Sequence, residues 1–156
     1  MDELDFGILT QLQADGRRPF TEIAKELSVA EGTIRNRVAK MMADDTLQII
    51  GHVDPHRVGF GAPALVSISV QPGKVEEVAS AVQTFPELSY LLLVAGEYDL
   101  LLEVMCRDRE HLRELITTRL HGLEGVTNTH TTLILHTYKV VQPDLNLVKT
   151  TLKSKR

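Results

Sequence analysis

The chain changes rhythm near residue 50, and that change restricts it to folds that place a small helical unit ahead of a mixed α/β one. Before it, apolar residues recur at helical spacing: Leu4, Ile8, Leu9 and Leu12, then Ile23, Ala24 and Leu27, then Ile34, Val38, Met41 and Met42. These runs predict three short helices, interrupted by "ADGRRPF" (14–20) and "SVAEG" (28–32). Asp15-Gly16 is a stop-and-turn pair, and Pro19 is excluded from a helix interior. Residues 51–63, "GHVDPHRVGFGAP", contain Gly51, Pro55, Gly59, Gly61 and Pro63, too broken for a helix and suited to a linker or an edge strand.

Beyond the break the pattern reads strand, helix, strand, strand, helix, strand. In "ALVSISVQ" (64–71) Val66, Ile68 and Val70 alternate with Ser67, Ser69 and Gln71. "GKVEEVASAVQTF" puts Val75, Val78, Ala79 and Val82 on one helical stripe. "LSYLLLVA" (88–95) and "YDLLLEVMC" (98–106) are apolar strands joined as a hairpin across Gly96-Glu97. "DREHLRELITTRL" (108–120) sets Leu112, Leu115, Ile116 and Leu120 on one side, with Asp108 as N-cap. "VTNTHTTLILHTY" (126–138) is rich in β-branched residues and reads as a long strand. The order βαββαβ is the ferredoxin-like unit. The fold class expected is therefore α+β: an N-terminal helix-turn-helix of winged-helix-like type, followed by a βαββαβ αβ-sandwich. The boundaries expected are 1–50 for the helical domain, 51–63 for a linker strand or hinge, 64–141 for the sandwich, and 142–156 for a polar, basic C-terminal tail.

Bulk composition narrows the function classes. No apolar run reaches the length of a membrane span, and "MDELDFGILT" is too acidic to begin a secretory signal. The single cysteine, Cys106, cannot form an internal disulfide, which fits a reducing cytoplasm. A net charge of −4 argues against indiscriminate nucleic-acid binding, but not against a local basic stripe.

Such a stripe lies in residues 21–42, read as helix, turn, helix. Ala24 is the small residue the first helix needs, and Val29, Ile34, Leu27 and Val38 turn inward. That leaves Thr33, Arg35, Asn36, Arg37 and Lys40 outward. Arg can donate two hydrogen bonds to guanine and Asn can pair bidentately with adenine. Lys40 suits a phosphate, and Arg17 and Arg18 offer a second backbone contact. Residues 1–50 hold six basic and nine acidic side chains, whereas 32–43 hold three basic and no acidic ones, so the footprint is local. The bland alternative is a solvated charged helix face.

The run from "LDFGILTQLQADGRRPFTEIAKEL" through "GTIRNRV" to "VAGEYDLLLEV" and "LEGVTNTHTTLIL" resembles the Lrp/AsnC, or feast/famine, family of transcriptional regulators over nearly the whole chain. The resemblance implies a helix-turn-helix that binds double-stranded operator DNA and a C-terminal sandwich that senses small effectors, commonly amino acids. It also implies homodimers formed through the sandwich, often assembled further into octamers or open helices. Two departures concern helix boundaries. Ala30 stands where the family has a Ser N-cap, and Asp45 in "ADDTL" where it has Gly.

Within "GEYD" (96–99), Gly96 exposes backbone to a ligand, Asp99 can accept from an amino group, and Tyr98 brings a ring with a polar tip. By resemblance this turn lines the effector pocket together with Thr129 and Thr131, which share one face of the last strand, as does Thr127. The alternative is a simple hairpin turn with Asp99 bonding backbone amides.

No catalytic or metal-binding constellation is expected, and no cofactor. His52 and His56 are separated by Pro55, which denies the helix their spacing would need. His130 and His136, on a continuous strand, would lie about 20 Å apart. Cys106 follows an apolar run and reads as a small buried hydrophobe. One enzymatic alternative shares the domain order: sirohaem decarboxylases resemble Lrp/AsnC proteins and are thought to use histidines near the tetrapyrrole. The outward Arg35-Asn36-Arg37 face favours DNA. Both faces of strand 98–106 are apolar, as expected if one covers helices and the other a partner chain.

Overall fold

The computed structural model describes residues 1–148. The chain divides into two compact units, residues 1–52 with the described residues from 139 onward, and residues 53–138.

The first unit contains α1 (Glu3–Ala14), α2 (Phe20–Glu26) and α3 (Glu31–Ala43). Its core is Ile8, Leu9, Leu12, Ile23, Ala24, Ile34, Val38 and Met41, the stripe that helical spacing predicts. Met42 departs from it: it faces outward, 48% exposed, because Met41 already closes that turn of the stripe. Fully burying side chains such as Ile8, Ile23 and Ile34 stabilises the unit by about 1.5–3 kcal/mol each. Gly7 lies inside α1 because Leu27 packs over it, with Leu27 Cδ2 2.9 Å from where a Cβ would stand.

The turn between α2 and α3 is a Schellman cap. Ser28 takes φ +55°, Val29 N–H donates to Ala24 O at 3.0 Å, and Ser28 N–H donates to Lys25 O at 3.3 Å. Ala30 then serves as N-cap of α3 in extended backbone, without a side-chain hydrogen bond, and the helix begins at Glu31. At the other end of α3 Asp45 takes φ +57°, the left-handed position that the departure from glycine assigned to it. The segment read as a C-terminal tail is engaged as far as it is described: Gln13 Nε2 donates to Pro143 O at 2.9 Å and Leu145 packs against the helical core. The lysines of its final residues lie outside the described residues.

The second unit is a four-stranded antiparallel sheet in the order β2-β3-β1-β4, the ferredoxin-like arrangement, with helices on one face. Its elements are β1 (Ala62–Val70), α4 (Val75–Val82), β2 (Leu88–Leu93), β3 (Leu100–Cys106), α5 (Arg109–Glu114) continuing into a π-helical turn (Leu115–Leu120), and β4 (Val126–Leu133). Asp108 caps α5, accepting from His111 N–H at 2.8 Å. Alternation gives the inner face: Ala62, Ala64, Val66, Ile68 and Val70 of β1 and Leu100, Leu102, Val104 and Cys106 of β3 pack under Val78, Val82, Leu112, Leu115 and Leu120. The opposite face carries Leu65, Tyr90 and Leu92, exposed, and Leu101 and Met105, partly exposed on either side of Glu103.

Two details of β4 differ from the sequence reading. The strand ends at Leu133, so His136 is not on it and instead meets Tyr138 edge-on at 4.6 Å. A bulge opposite Ser69 and Val70 also breaks the alternation. Val126, not Thr127, takes the inward place beside Val70, and the Thr127 hydroxyl donates to Ser69 O at 3.0 Å.

Candidate functional site

Helix α3 buries Ile34, Val38 and Met41 and leaves Gly32, Thr33, Arg35, Asn36, Ala39 and Lys40 exposed. At 3.6 residues per turn, Asn36 and the small Gly32 and Ala39 form the centre of the outward face, with Thr33 and Lys40 at one margin. Nothing stands within 4 Å of where a Gly32 Cβ would be. That face is polar, shallow at its centre and free of acidic side chains, which is what close approach to base edges requires.

The arginines are not equivalent. Arg35 is 64% exposed, pairs with Glu31 one turn back, and lies 5.6 Å over the Phe20 ring. An exposed pair of that kind exchanges readily with other anions. Arg37 leaves the helix on the other flank and turns to the start of α1, where Nη1 bonds Asp2 Oδ2 at 2.8 Å and Asp5 Oδ1 at 3.0 Å. Asp2 and Asp5 are themselves joined as a capping box, each accepting the other's backbone N–H. The Asp5 amide and the Arg37 guanidinium hold the Asp2 carboxyl below the usual range, and the Asp2 and Asp5 carboxylates raise Arg37. Arg18 is likewise occupied, bonding Gln11 and Glu26 with Glu22 nearby. Arg17 is exposed in the α1–α2 turn.

In the second unit the Gly96–Asp99 turn is tied to β1. Val94 N–H donates to Asp99 O at 2.9 Å, Asp99 N–H donates to Ile68 O at 3.0 Å, and the Asp99 carboxylate accepts Val70 N–H at 2.7 Å. The carboxylate takes the place of a strand partner at the end of β1, where β3 has not yet begun. Gly96 is exposed with open space in front of its backbone, and the Tyr98 ring stacks on His130 at 6.1 Å.

Thr129 and Thr131 pair with Ile68 and Val66 and so point to the helix-covered face, where the Thr129 hydroxyl bonds His121 Nε2 at 2.8 Å. A recess of about 350 Å³ at this edge is lined by His121, Val126, Thr127, Asn128 and Thr129. Of the five residues named for the effector, Thr129 lines this recess, and Gly96, Tyr98, Asp99 and Thr131 do not.

One polar cluster was not anticipated. Glu87, buried in the turn just before β2, accepts from Arg119 Nη1 at 2.8 and 2.9 Å and meets His111 Nε2 at 2.9 Å, while the Arg119 guanidinium lies 3.9 Å from the Phe85 ring centroid. Burial alone would raise the Glu87 carboxyl, but the His111 and Arg119 contacts outweigh it and lower it. No local motif announces the cluster, because its members are far apart in sequence. Cys106 lies beside it, fully buried, its thiol pushed up to about 11 chiefly by burial.

Residues 1–42 match the AsnC-type helix-turn-helix domain and residues 63–143 match the Lrp/AsnC ligand binding domain. The chain belongs to the Lrp/AsnC family of transcriptional regulators. Among its relatives, an uncharacterized HTH-type transcriptional regulator of Pyrococcus furiosus is 34% identical over 135 residues, covering 86% of this chain and 91% of that one. The HTH-type transcriptional regulator FL11 of Pyrococcus horikoshii is 31% identical over 140 residues, covering 89% and 92%. The fold matches the leucine response regulatory protein of Mycobacterium tuberculosis with a TM-score of 0.86 at 23% identity, over 93% of this chain and 99% of that one. It also matches a regulator of Neisseria meningitidis solved as an L-Met complex, with a TM-score of 0.80 at 22% identity, over 94% and 99%. This Lrp/AsnC chain is thus a helix-turn-helix transcriptional regulator with the family's ligand-binding domain.

Proposed function

We propose that this Lrp/AsnC protein acts in the cytoplasm as a homodimer or larger assembly that binds operator DNA through α3, and that an amino acid tunes its assembly or affinity. The observation that carries the DNA reading is the sorting of α3: Ile34, Val38 and Met41 inward, Thr33, Arg35, Asn36 and Lys40 outward. Arg35 and Asn36 address base edges, and Lys40 and Arg17 address phosphates. The helical unit then serves DNA, the segment ahead of β1 acts as hinge, and the sheet unit senses and assembles.

The uncovered sheet face supports self-association, since Leu65, Tyr90, Leu92, Leu101 and Met105 form an apolar surface of the kind a second sheet covers. The solved L-Met complex of the Neisseria relative supports an amino-acid effector. Gly96, Tyr98, Asp99, Thr129 and Thr131 are the residues assigned to it, with a second chain completing the enclosure. Effector and DNA are then linked through assembly, which requires different effector affinity in the two states. The relatives' names as transcriptional regulators favour this over the tetrapyrrole-decarboxylase alternative.

Sedimentation velocity on the full chain tests the assembly, with and without L-methionine and L-leucine. Dimers or larger species that dissociate in Leu92→Glu/Met105→Glu support the reading. A monomer at micromolar concentration contradicts it.

A further inference from the structure

We propose that Arg37, although carried on the DNA-reading helix, is a positioning residue that locks α3 against the start of α1 and reads no base. The inference rests on the DNA-reading assignment of α3. Two residues advance an α-helix by about 200°, so Arg35 and Arg37 leave α3 on opposite flanks of the outward face. Arg37 leaves on the side of α1, and its side chain is half-buried there.

The anchor is Asp5, the buried acid of the helical unit, only 6% exposed. A buried carboxylate needs a charged or hydrogen-bonding partner. Asp5 has the Asp2 backbone N–H at 2.9 Å and the Arg37 guanidinium at 3.0 Å. Swinging Arg37 out to a base would strip Asp5 of its cation and also break the 2.8 Å contact to Asp2. One nitrogen, Nη1, serves both carboxylates, so the two contacts are lost together. The clamp joins the middle of α3 to the first turn of α1, across helices that also share the apolar core. It sets the angle at which Thr33, Arg35 and Asn36 are presented.

The test measures binding of the full chain to a genomic fragment selected by the wild type, with single base-pair substitutions across the site. The variants are Arg37→Gln, Asp2→Asn/Asp5→Asn, all three together, and Arg37→Lys. A thermal melt confirms that each is folded at the assay temperature. Should the double aspartate variant be unfolded there, Asp2→Asn alone, removing the more exposed carboxylate, takes its place. The expected result is that Arg37→Gln and the aspartate variant each weaken binding about tenfold, without changing base preference, and that the combination is no worse than either. Arg37→Lys recovers part of the loss. Unchanged or tighter binding by the aspartate variant overturns the proposal, because the carboxylates would then be competing with DNA for Arg37. Loss of preference at one base pair in Arg37→Gln overturns it as well. A wild type that selects no fragment overturns the DNA reading itself, and this inference with it.

Discussion

The Asp99 carboxylate accepts the Val70 amide at 2.7 Å, completing the side of β1 that β3 does not reach. Asp99 therefore supports the fold, whatever it also offers an effector. Asp99→Ala leaves that amide without its acceptor and is expected to destabilise the second unit by about 1–3 kcal/mol. Urea denaturation of the two proteins reads the difference. An unchanged midpoint would mean that water replaces the carboxylate at no cost. Any effector defect in Asp99→Ala has to be compared with this loss.

Ser28 holds the left-handed position of the α2–α3 turn at φ +55°. Glycine has no Cβ to clash there, though it gives the unfolded chain more freedom. Ser28→Gly is expected to raise the melting temperature, through a net gain of about 0.5–1 kcal/mol. A fall in melting temperature would show that the serine makes a compensating contact.

Ala30 sits in extended backbone at the N-cap of α3 and bonds nothing with its side chain. Ala30→Ser places a hydroxyl where it can accept from the amides of the first turn. About 1 kcal/mol of added stability is expected, read by chemical denaturation. No gain would mean that the first-turn amides are already satisfied by water.

The Glu87 cluster makes stability depend on pH in a defined direction. The Glu87 carboxyl is lowered from its ordinary 4.5 once His111 and Arg119 outweigh burial. A carboxyl lowered by folding contributes stability that is fully present above its unfolded value and is lost as pH falls through the folded one. Melting curves taken downward from pH 5 should show this loss, and Glu87→Gln should remove part of the slope while costing about 1.5–3 kcal/mol at neutral pH. Parallel slopes in the two proteins would contradict the assignment.

Local pattern carries information about a residue's face more reliably than about its partner. The burial of Ile34, Val38 and Met41 follows from period alone, and so does the alternation along β1 and β3. The Asp108 cap was equally legible, because the signal and its target lie three residues apart. What escaped depends on distant contacts. Arg37 looked like Arg35 in sequence, and only the return of α1 separates them, by bringing Asp2 and Asp5 alongside. The bulge at Ser69 and Val70 moved Thr127 out of alternation, and no residue type at that point signals it. Asp99 had two readings in sequence; its carboxylate does bond a backbone amide, but that amide is Val70 on β1, outside the hairpin.

The central claim is that α3 reads DNA through Arg35 and Asn36. Its most direct test is fluorescence anisotropy with genomic fragments enriched by the protein, comparing the wild type with Arg35→Ala/Asn36→Ala at several salt concentrations. The account predicts saturable, fragment-selective binding by the wild type, with a loss of about 1–3 kcal/mol for each base contact removed and relaxed preference at those positions. Equal selectivity in both proteins, or none in the wild type at low salt, would contradict it.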